Sequence, residues 1–340
     1  YMTKQEKKRK GLLPRGLASL LGFSTAVAAA WIFYSRRYID HHAKVKGVLK
    51  GEEGFYESPT AGKIHYVTDT AGSGRPILVV HGIHLAAGLH DVAPIFQAFV
   101  THRPVYVLDL PGFGGSQQGD RPYRPSMYQA AITDFIREKI GAPTDVVVIG
   151  LTSEFAALAA LAEPDLFHSL TMINPTGFQM PQSTLWDKPN VQTLEDILYT
   201  LVAVPLWSLP LFDLLVNRPR LHRYYRRRFE YSVPDELVSI AWASAHQPGA
   251  HLAPLVYLCG KLYTLNVREK VYENLSVPVL VIYDNEPGLH FDMLPYTVHT
   301  HSNWKAKRIR RSRGMPHFDR PGEFFRALDD FFKEAEKSKA

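Results

Sequence analysis

Three kinds of side chain that can serve nucleophilic catalysis lie far apart along this 340-residue sequence. Thr152 and Ser153 supply hydroxyl groups just after one short apolar run, and a later apolar run ends at the carboxylates of Asp284 and Glu286. His317 supplies an imidazole farther along the chain. A hydroxyl that gives its proton to an imidazole, itself oriented by a carboxylate, can attack a carbonyl carbon. These residues can act together only if the fold brings them to one place.

Short β-branched runs alternate with segments of helical periodicity downstream of a polar linker at residues 47–54. The runs predict strands at 64–67, Ile77–Val80, Val105–Leu108, 146–149, 170–173 and Val279–Tyr283. Several are apolar throughout, which is typical of strands covered by helices on both faces. Ser126 is the predicted N-cap of one helix, and residues 155–161 predict another. The alternation predicts an α/β fold with a mostly parallel, doubly wound sheet.

In such sheets ligands bind beyond the carboxyl ends of the strands, and distinctive motifs follow several predicted strands here. The motifs are His81-Gly82-Ile83-His84, the segment 109–116 (DLPGFGGS), Gly150-Leu151-Thr152-Ser153-Glu154 and the segment 313–321 (RGMPHFDRP). In this order and spacing they resemble the α/β-hydrolase family over roughly residues 63–333. Within these motifs we expect structural roles for His81 and Asp109, as supports of the neighbouring loops.

The resemblance implies a nucleophile on a tight turn between a strand and a helix, with small residues two positions before and after it. Gly150 then places Thr152 at the apex of that turn. The elbow is atypical, because a threonine replaces the usual serine and Glu154 stands where a small residue is expected. Ser153 is the alternative nucleophile if the turn shifts by one residue.

The resemblance also assigns the remaining catalytic roles. Glu286 fits the family's acid position better than Asp284, and His317 is the expected base. The backbone N–H groups of Ile83 and Ser153 are the expected oxyanion hole. His84 and His90 are open candidates for residues that face the pocket.

The resemblance implies that residues 178–277 form a helical lid over the pocket. Residues 198–212 are uncharged and apolar but are interrupted by Pro205 and Pro210, so they are too short and broken to span a bilayer. Residues 218–228 follow with six arginines and two tyrosines. This composition fits a surface that dips into lipid headgroups, and it fits equally a run packed on the core beside a solvated helix.

Residues 16–35 carry no charge and are flanked by Arg15 and Arg36, with five further basic residues before residue 11. A helix of this length just crosses a hydrocarbon core about 30 Å thick, so we predict one N-terminal transmembrane anchor. A cleaved signal peptide and a surface helix are the alternatives. The basic residues favour a cytoplasmic N-terminus only slightly.

These predictions divide the chain into a basic anchor (1–46), a first core part (47–177), a lid (178–277) and a second core part (278–340). The net charge is +6 and the one cysteine, Cys259, excludes an internal disulfide and a multi-thiolate zinc site. No metal site, cofactor site or nucleic-acid motif is predicted.

We expect a membrane-anchored hydrolase for an ester or thioester with an apolar acyl chain, in contact with membrane lipid. The alternative is a catalytically silent member that serves as a binding or scaffold subunit for a membrane protein partner.

Overall fold

An eight-stranded sheet forms the centre of the computed structural model, which describes residues 15–43, 45, 47–180 and 191–339. The side chains of residues 15–23, 191, 192, 338 and 339 lie outside the description. The strands are β1 (Glu52–Ser58), β2 (Gly62–Asp69), β3 (Ile77–Val80), β4 (Val105–Leu108), β5 (Thr144–Ile149), β6 (Phe167–Ile173), β7 (Val279–Tyr283) and β8 (Trp304–Arg308). Their spatial order is β1-β2-β4-β3-β5-β6-β7-β8.

Strands β3 to β8 pair in parallel, whereas β1 pairs with β2, and β2 with β4, antiparallel. The predicted mostly parallel α/β sheet is therefore confirmed, and all six predicted strands are present. The sequence did not predict β1 and β8, the two edge strands. Both are largely solvent-exposed and carry many charges, so neither shows the apolar run of a buried strand.

The α-helices cover both faces of the sheet and continue into an insertion. They are α1 (Arg15–Tyr38), α2 (Ala93–Phe99), α3 (Pro125–Asp134), α4 (Thr152–Ala162), α5 (Val191–Val202), α6 (Ser208–Leu215), α7 (Arg218–Arg228), α8 (Asp235–Ala245), α9 (Leu252–Leu258), α10 (Val267–Lys270), α11 (Leu294–Thr300), α12 (Pro316–Asp319) and α13 (Pro321–Lys339). Helices α3 and α4 pack apolar side chains on one face of the sheet, and α2 and α13 pack theirs on the other. The prediction of Ser126 as an N-cap is wrong: the N-cap is Arg124, because Pro125 fits the first helical position, where no N–H is needed.

The chain between β6 and β7 forms the predicted helical insertion, with α5 to α10. Helices α7 and α8 build a small apolar core of their own around Phe212, Leu221, Tyr225 and Ala241. This core reaches the main domain through Ala86 and Met315, which lie in loops at the carboxyl ends of strands. The insertion is thereby fixed above the edge of the sheet at which ligands bind in such folds.

The N-terminal helix α1 lies against helix α6 of the insertion. Trp31 donates a hydrogen bond from Nε1 to the Pro210 carbonyl (2.8 Å), and Ser35 donates one to the buried carboxylate of Asp213 (2.5 Å). Within the described residues, no helix combines the length and hydropathy that a membrane crossing needs. The predicted anchor at 16–35 falls partly on residues whose side chains are not described, and the basic residues before Arg15 lie outside the described chain.

Candidate active site

The turn that joins β5 to α4 bends at Gly150. Gly150 has a φ of +58°, whereas Leu151 already has helical dihedral angles and α4 begins at Thr152. The prediction of Thr152 at the apex is therefore wrong. Glycine adopts positive φ without the steric cost that a β-branched residue pays, so the chain turns at Gly150 and Thr152 enters the helix. Because the apex residue is a glycine, the apex carries no side chain. A Cβ atom at position 150 would meet no atom within 4 Å, so the space above the apex is open.

The two candidate hydroxyl groups are buried in the first turn of α4. Thr152 is fully buried and donates from Oγ1 to the His81 carbonyl at 2.7 Å. The Ser153 hydroxyl is also fully buried, and it has no hydrogen-bond partner within the described residues. The Ser153 N–H donates to the Gly150 carbonyl at 3.1 Å, which closes the helix start, so its predicted place in the oxyanion hole is wrong.

Glu154, which is larger than the residue expected at its position in the elbow, connects α4 to the base of the insertion. Its carboxylate accepts a hydrogen bond from the Thr176 hydroxyl (2.5 Å) and one from the Thr264 N–H (2.7 Å). Burial raises the pKa of Glu154 to about 7, although the two donors oppose that shift. Glu154 therefore joins two parts of the fold, which explains how a large residue is accommodated there.

His317 lies in the short helix α12 and is fully buried. Its Nε2–H donates to the Asp91 carbonyl at 2.7 Å, Nδ1 has no partner within the described residues, and the ring packs against Phe318 and Phe324. Burial lowers the pKa of His317 to about 4. His317 is not among the residues that line the adjacent pocket.

Glu286 and Asp284 bind different partners. Glu286 forms an ion pair with Arg228, with 2.7 Å between Oε1 and Nε. Burial raises the pKa of Glu286, and the Arg228 charge only partly offsets this. Asp284 accepts hydrogen bonds from the Ser312 N–H (3.1 Å) and from Arg308 (3.2 Å), and these lower its pKa although burial alone would raise it. The structure thus does not bring the hydroxyls, Glu286 and His317 into one hydrogen-bonded triad.

A pocket of about 290 Å³ lies where the predicted chemistry should occur, beyond the carboxyl ends of β3, β5 and β7. Its wall includes Gly150 and Leu151 from the elbow, Ile83 from the loop after β3, and Glu286 with Arg228. Sequence reasoning placed Ile83 and Glu286 here but missed Arg228. That arginine comes from α7, whose arginine-rich sequence gave no sign that its last residue turns inward.

Tyr224 lies under the Arg228 guanidinium, 3.9 Å from carbon to ring centre, and it also lines the pocket. Tyr225 is fully buried and donates to Asp91 at 3.0 Å. The interpretation of residues 218–228 as a uniform headgroup surface or solvated face is therefore wrong at these three positions. The physical reason is helical periodicity: in α7 the buried residues Leu221 and Tyr225 are four apart and share one face.

His84 also lines the pocket, yet both of its ring nitrogens are engaged. Nε2 lies 2.6 Å from Asp91 Oδ2, and Nδ1 accepts a hydrogen bond from the Ala86 N–H at 3.3 Å. His90 instead contacts the Tyr225 hydroxyl at 3.2 Å, and burial lowers its pKa. His84 therefore offers no free nitrogen for proton transfer to a bound molecule, and His90 is not among the residues that line the pocket.

The structural roles expected of His81 and Asp109 are confirmed. His81 donates to the Gly82 carbonyl (2.6 Å) and accepts from the Leu110 N–H (3.0 Å), so it joins the loops after β3 and β4. Asp109 accepts from the Gly115 N–H at 2.9 Å and so holds the glycine-rich turn.

The family model of the alpha/beta hydrolase family matches residues 77–327, which is most of the chain. The chain belongs to the α/β-hydrolase family. Among curated proteins, ethanol acetyltransferase 1 from Wickerhamomyces anomalus is 31% identical over 111 residues, which cover 32% of this chain and 28% of that enzyme. The match therefore spans less than a third of that relative's length.

Solved structures agree with this assignment at the level of the fold. Cfl2 from Burkholderia cenocepacia has a TM-score of 0.66 at 18% identity and covers 85% of this chain and 99% of its own. A membrane phospholipase A described as a bacterial virulence factor has a TM-score of 0.64 at 17% identity, with coverage of 94% and 97%. Carboxylesterase CesB from Bacillus subtilis has a TM-score of 0.63 at 12% identity, with coverage of 84% and 92%.

Proposed function

We propose that the protein hydrolyses a small ester with an apolar acyl chain, and that a water molecule attacks the carbonyl in place of a side-chain nucleophile. One observation carries the proposal: the buried Glu286 carboxylate lines the same pocket as the open space above the apex glycine, Gly150. Where other elbows carry a hydroxyl, this one leaves room for a ligand. The pocket wall holds two carboxylates, and because Asp91 is already bound to His84 and Tyr225, we assign Glu286 as the base.

The raised pKa of Glu286 suits that role. A general base works best when its pKa lies close to the working pH, so a raised pKa makes a carboxylate a stronger base. Burial moves the pKa of Glu286 in the useful direction. Arg228 pairs with one carboxylate oxygen, Oε1, and so holds the group in place, while Oε2 is the oxygen we assign to the water.

In the proposed reaction, the substrate carbonyl lies above Gly150 and accepts hydrogen bonds from the N–H groups of Ile83 and Leu151, two residues of the pocket wall. Glu286 removes a proton from the water while the water oxygen bonds to the carbonyl carbon. When the tetrahedral intermediate collapses, the C–O bond to the leaving group breaks, and Glu286 returns the proton to the departing alcohol. The products are a carboxylic acid and an alcohol.

The pocket favours a short apolar acyl chain. Five apolar residues line it: Ile83, Ile149, Leu151, Leu289 and Met315. Its volume of about 290 Å³ is just below the usual range for small-molecule sites, about 300–1,000 Å³. We therefore expect acetyl or butyryl esters to be better substrates than long-chain esters.

Hydrolysis of p-nitrophenyl acetate, butyrate and octanoate by the intact protein tests the proposal. Glu286→Gln should abolish turnover, whereas Ser153→Ala and the exposed-surface control Glu323→Gln should leave it unchanged. The rate should rise with pH as Glu286 loses its proton, and a fluorophosphonate should not label the protein. Loss of turnover in Ser153→Ala together with labelling would instead support a covalent serine mechanism.

A second candidate is a binding function without hydrolysis, which the missing apex side chain and the Arg228–Glu286 ion pair favour. In this case the pocket holds a small carboxylate beside Arg228. No turnover of any of the three esters, combined with saturable binding of butyrate that Arg228→Gln weakens, would select this function over the first.

We further propose that the insertion and helix α1 together lie on a membrane. Helix α5 exposes Leu194, Ile197 and Leu201, and the turn after it exposes Leu206 and Trp207. Large exposed apolar patches of this kind are typical of interaction surfaces, and apolar side chains with nearby cations favour lipid.

Three hydrogen bonds join the parts of this patch. Trp207 donates from its indole to the Leu201 carbonyl at 2.8 Å. Arg36 of α1 donates to the carbonyl oxygens of Pro205 (2.7 Å) and Leu206 (3.1 Å). Co-sedimentation with anionic vesicles should weaken in Leu201→Ser/Trp207→Ser. The control Tyr296→Ser, at an exposed aromatic residue of α11, should sediment like the wild type, and equal sedimentation of all three proteins would contradict the proposal.

A further inference from the structure

A third concentration of positive charge lies at the sheet edge formed by β8 and the loop that follows it. Residues 304–313 include Lys305, Lys307, Arg308, Arg310, Arg311 and Arg313, without one acidic residue. The proposed hydrolysis makes no use of these residues. A charged run is often just a solvated face, so the question is whether the fold shapes this one into a site.

The arginines of this segment line a cavity of about 370 Å³, which we call the arginine pocket: Arg308, Arg310, Arg311 and Arg313, with Glu230, Asp284 and Asn285. Four guanidinium groups face two carboxylates, which leaves a surplus of two positive charges. Arg313 pairs with Glu230 at 3.0 Å, and Arg311 approaches the same carboxylate at only 3.8 Å. Arg310 is exposed and forms no ion pair within the described part of the chain.

Buried polar groups hold the loop of the arginine pocket in one shape. Asp284 accepts hydrogen bonds from the backbone N–H groups of Ser312 (3.1 Å) and Arg313 (3.3 Å). Asn174, itself buried, donates to the Arg313 carbonyl (3.2 Å) and accepts from the Asp284 N–H (3.1 Å). The arginines are therefore displayed on a fixed backbone.

Two residues of this loop have a backbone conformation that glycine would adopt more cheaply. Arg311 has a φ of 61° and Arg313 a φ of 42°. Non-glycine residues in the left-handed region are strained, and such strain persists mainly where the surrounding structure enforces it, often at functional sites. Both strained positions carry arginine, so the loop accepts backbone strain while it places two cationic side chains at the arginine pocket.

We propose that the arginine pocket binds a phosphate-bearing anion. Guanidinium groups bind phosphate oxygens through paired N–H donors, and a phosphate monoester carries close to two negative charges at neutral pH, which matches the surplus. A single carboxylate would neutralise only half of it. The phosphate can belong to a soluble organic phosphate or to a phosphomonoester lipid headgroup.

Calorimetric titration of the full-length protein with phenyl phosphate, at low ionic strength, tests the site. Arg310→Gln should weaken binding about tenfold, as expected for the loss of one charge-assisted hydrogen bond. The control Arg227→Gln removes the same charge from an exposed position of α7 and should bind like the wild type. Acetate should bind much more weakly than phenyl phosphate.

Arg311→Gly separates a ligand-binding role from a structural one. Glycine relieves the positive φ, so the melting temperature should stay equal or rise, while binding of phenyl phosphate should fall. Equal binding by wild type, Arg310→Gln and Arg311→Gly, or equal weakening by Arg227→Gln, would overturn the proposal. Ester hydrolysis is measured separately, so failure here leaves the proposed function untouched.

Vesicles distinguish the two sources of phosphate. Phosphatidylcholine vesicles that contain phosphatidic acid are compared with vesicles that contain phosphatidylglycerol at matched surface charge. Binding to phosphatidic acid alone, lost in Arg310→Gln, assigns the site to a lipid headgroup. Binding of phenyl phosphate without a preference for phosphatidic acid assigns the site to a soluble ligand. If phenyl phosphate does not bind and both lipids bind equally through Arg310, the attraction is general electrostatics and the site is rejected.

Discussion

Glu286 fills the space beside Gly314. A Cβ atom at position 314 would lie 1.7 Å from Glu286 Oε2 and 3.0 Å from a carbon of the Arg228 side chain. No side chain of any kind fits at position 314 while the Arg228–Glu286 ion pair keeps its place. The Glu286 carboxylate therefore occupies space that only a glycine at position 314 leaves open.

Gly314→Ala tests this relationship. The added methyl group must displace the carboxylate, and overpacking of this kind costs about 1–3 kcal/mol of unfolding free energy. Urea denaturation should show that loss. In Gly314→Ala/Glu286→Ala the loss should be smaller than the sum of the two single losses, because the second change removes the obstacle.

Gly322→Ala is the matched control for that experiment. A Cβ atom at position 322 would meet no atom within 4 Å, and the residue lies at the start of α13. Its unfolding free energy should stay equal or increase slightly. A loss in Gly314→Ala no larger than in Gly322→Ala would show that Glu286 moves aside without cost.

The hydroxyl groups of Thr152 and Ser153 should differ in their effect on stability. Thr152→Val removes the donor to the buried His81 carbonyl and should cost about 1–3 kcal/mol. Ser153→Ala removes a buried hydroxyl without a partner and should leave the unfolding free energy equal or higher. Chemical denaturation of both variants checks this, and a large loss in Ser153→Ala would reveal a partner for that hydroxyl.

The sequence predicted the fold well because the fold depends on features that act locally. Continuous apolar runs such as Ile77–Val80 identify buried strands, and loop motifs such as those at His81 and Asp109 tie neighbouring strand ends together. The edge strand β8 was missed because its charges hide the signal of a strand.

The site was harder to predict because it depends on contacts between distant segments. The assignment of Thr152 to the apex followed from counting positions after Gly150, but the backbone bends where positive φ costs least, at the glycine itself. The partner of Glu286 is Arg228, 58 positions away in the insertion. Composition does not indicate which of the six arginines turns inward, and periodicity places Arg228 on the inner face of α7 only once Leu221 and Tyr225 are known to be buried.

Glu154 should make the protein less stable as the pH rises. Its pKa is about 7 in the folded protein, above the ordinary 4.5, so the folded state binds more protons than the unfolded state between these values. The stabilising contribution of the protonated form is complete below about pH 4.5 and is lost as the pH rises through 7. The loss is on the order of 3 kcal/mol.

Glu154→Gln removes this pH dependence, since glutamine can accept from the Thr264 N–H and donate to the Thr176 hydroxyl. Unfolding free energies of wild type and variant, measured near pH 5 and pH 8, should show a larger decline for the wild type. Parallel declines would mean that Glu154 is charged in the folded protein at both pH values.

His317 should act in the opposite pH direction. Its pKa is lowered to about 4, so the unfolded state, with an ordinary pKa near 6.5, binds more protons between these values. The protein should therefore lose stability as the pH falls from about 6.5 towards 4. His317→Gln keeps a donor for the Asp91 carbonyl and should lose less stability over that range than the wild type. The exposed-surface control His299→Gln should behave like the wild type.

Nitrogen NMR of the His317 ring should show a neutral imidazole down to about pH 5. A midpoint near 6.5 would place this side chain in contact with solvent and reopen its assignment as a catalytic base.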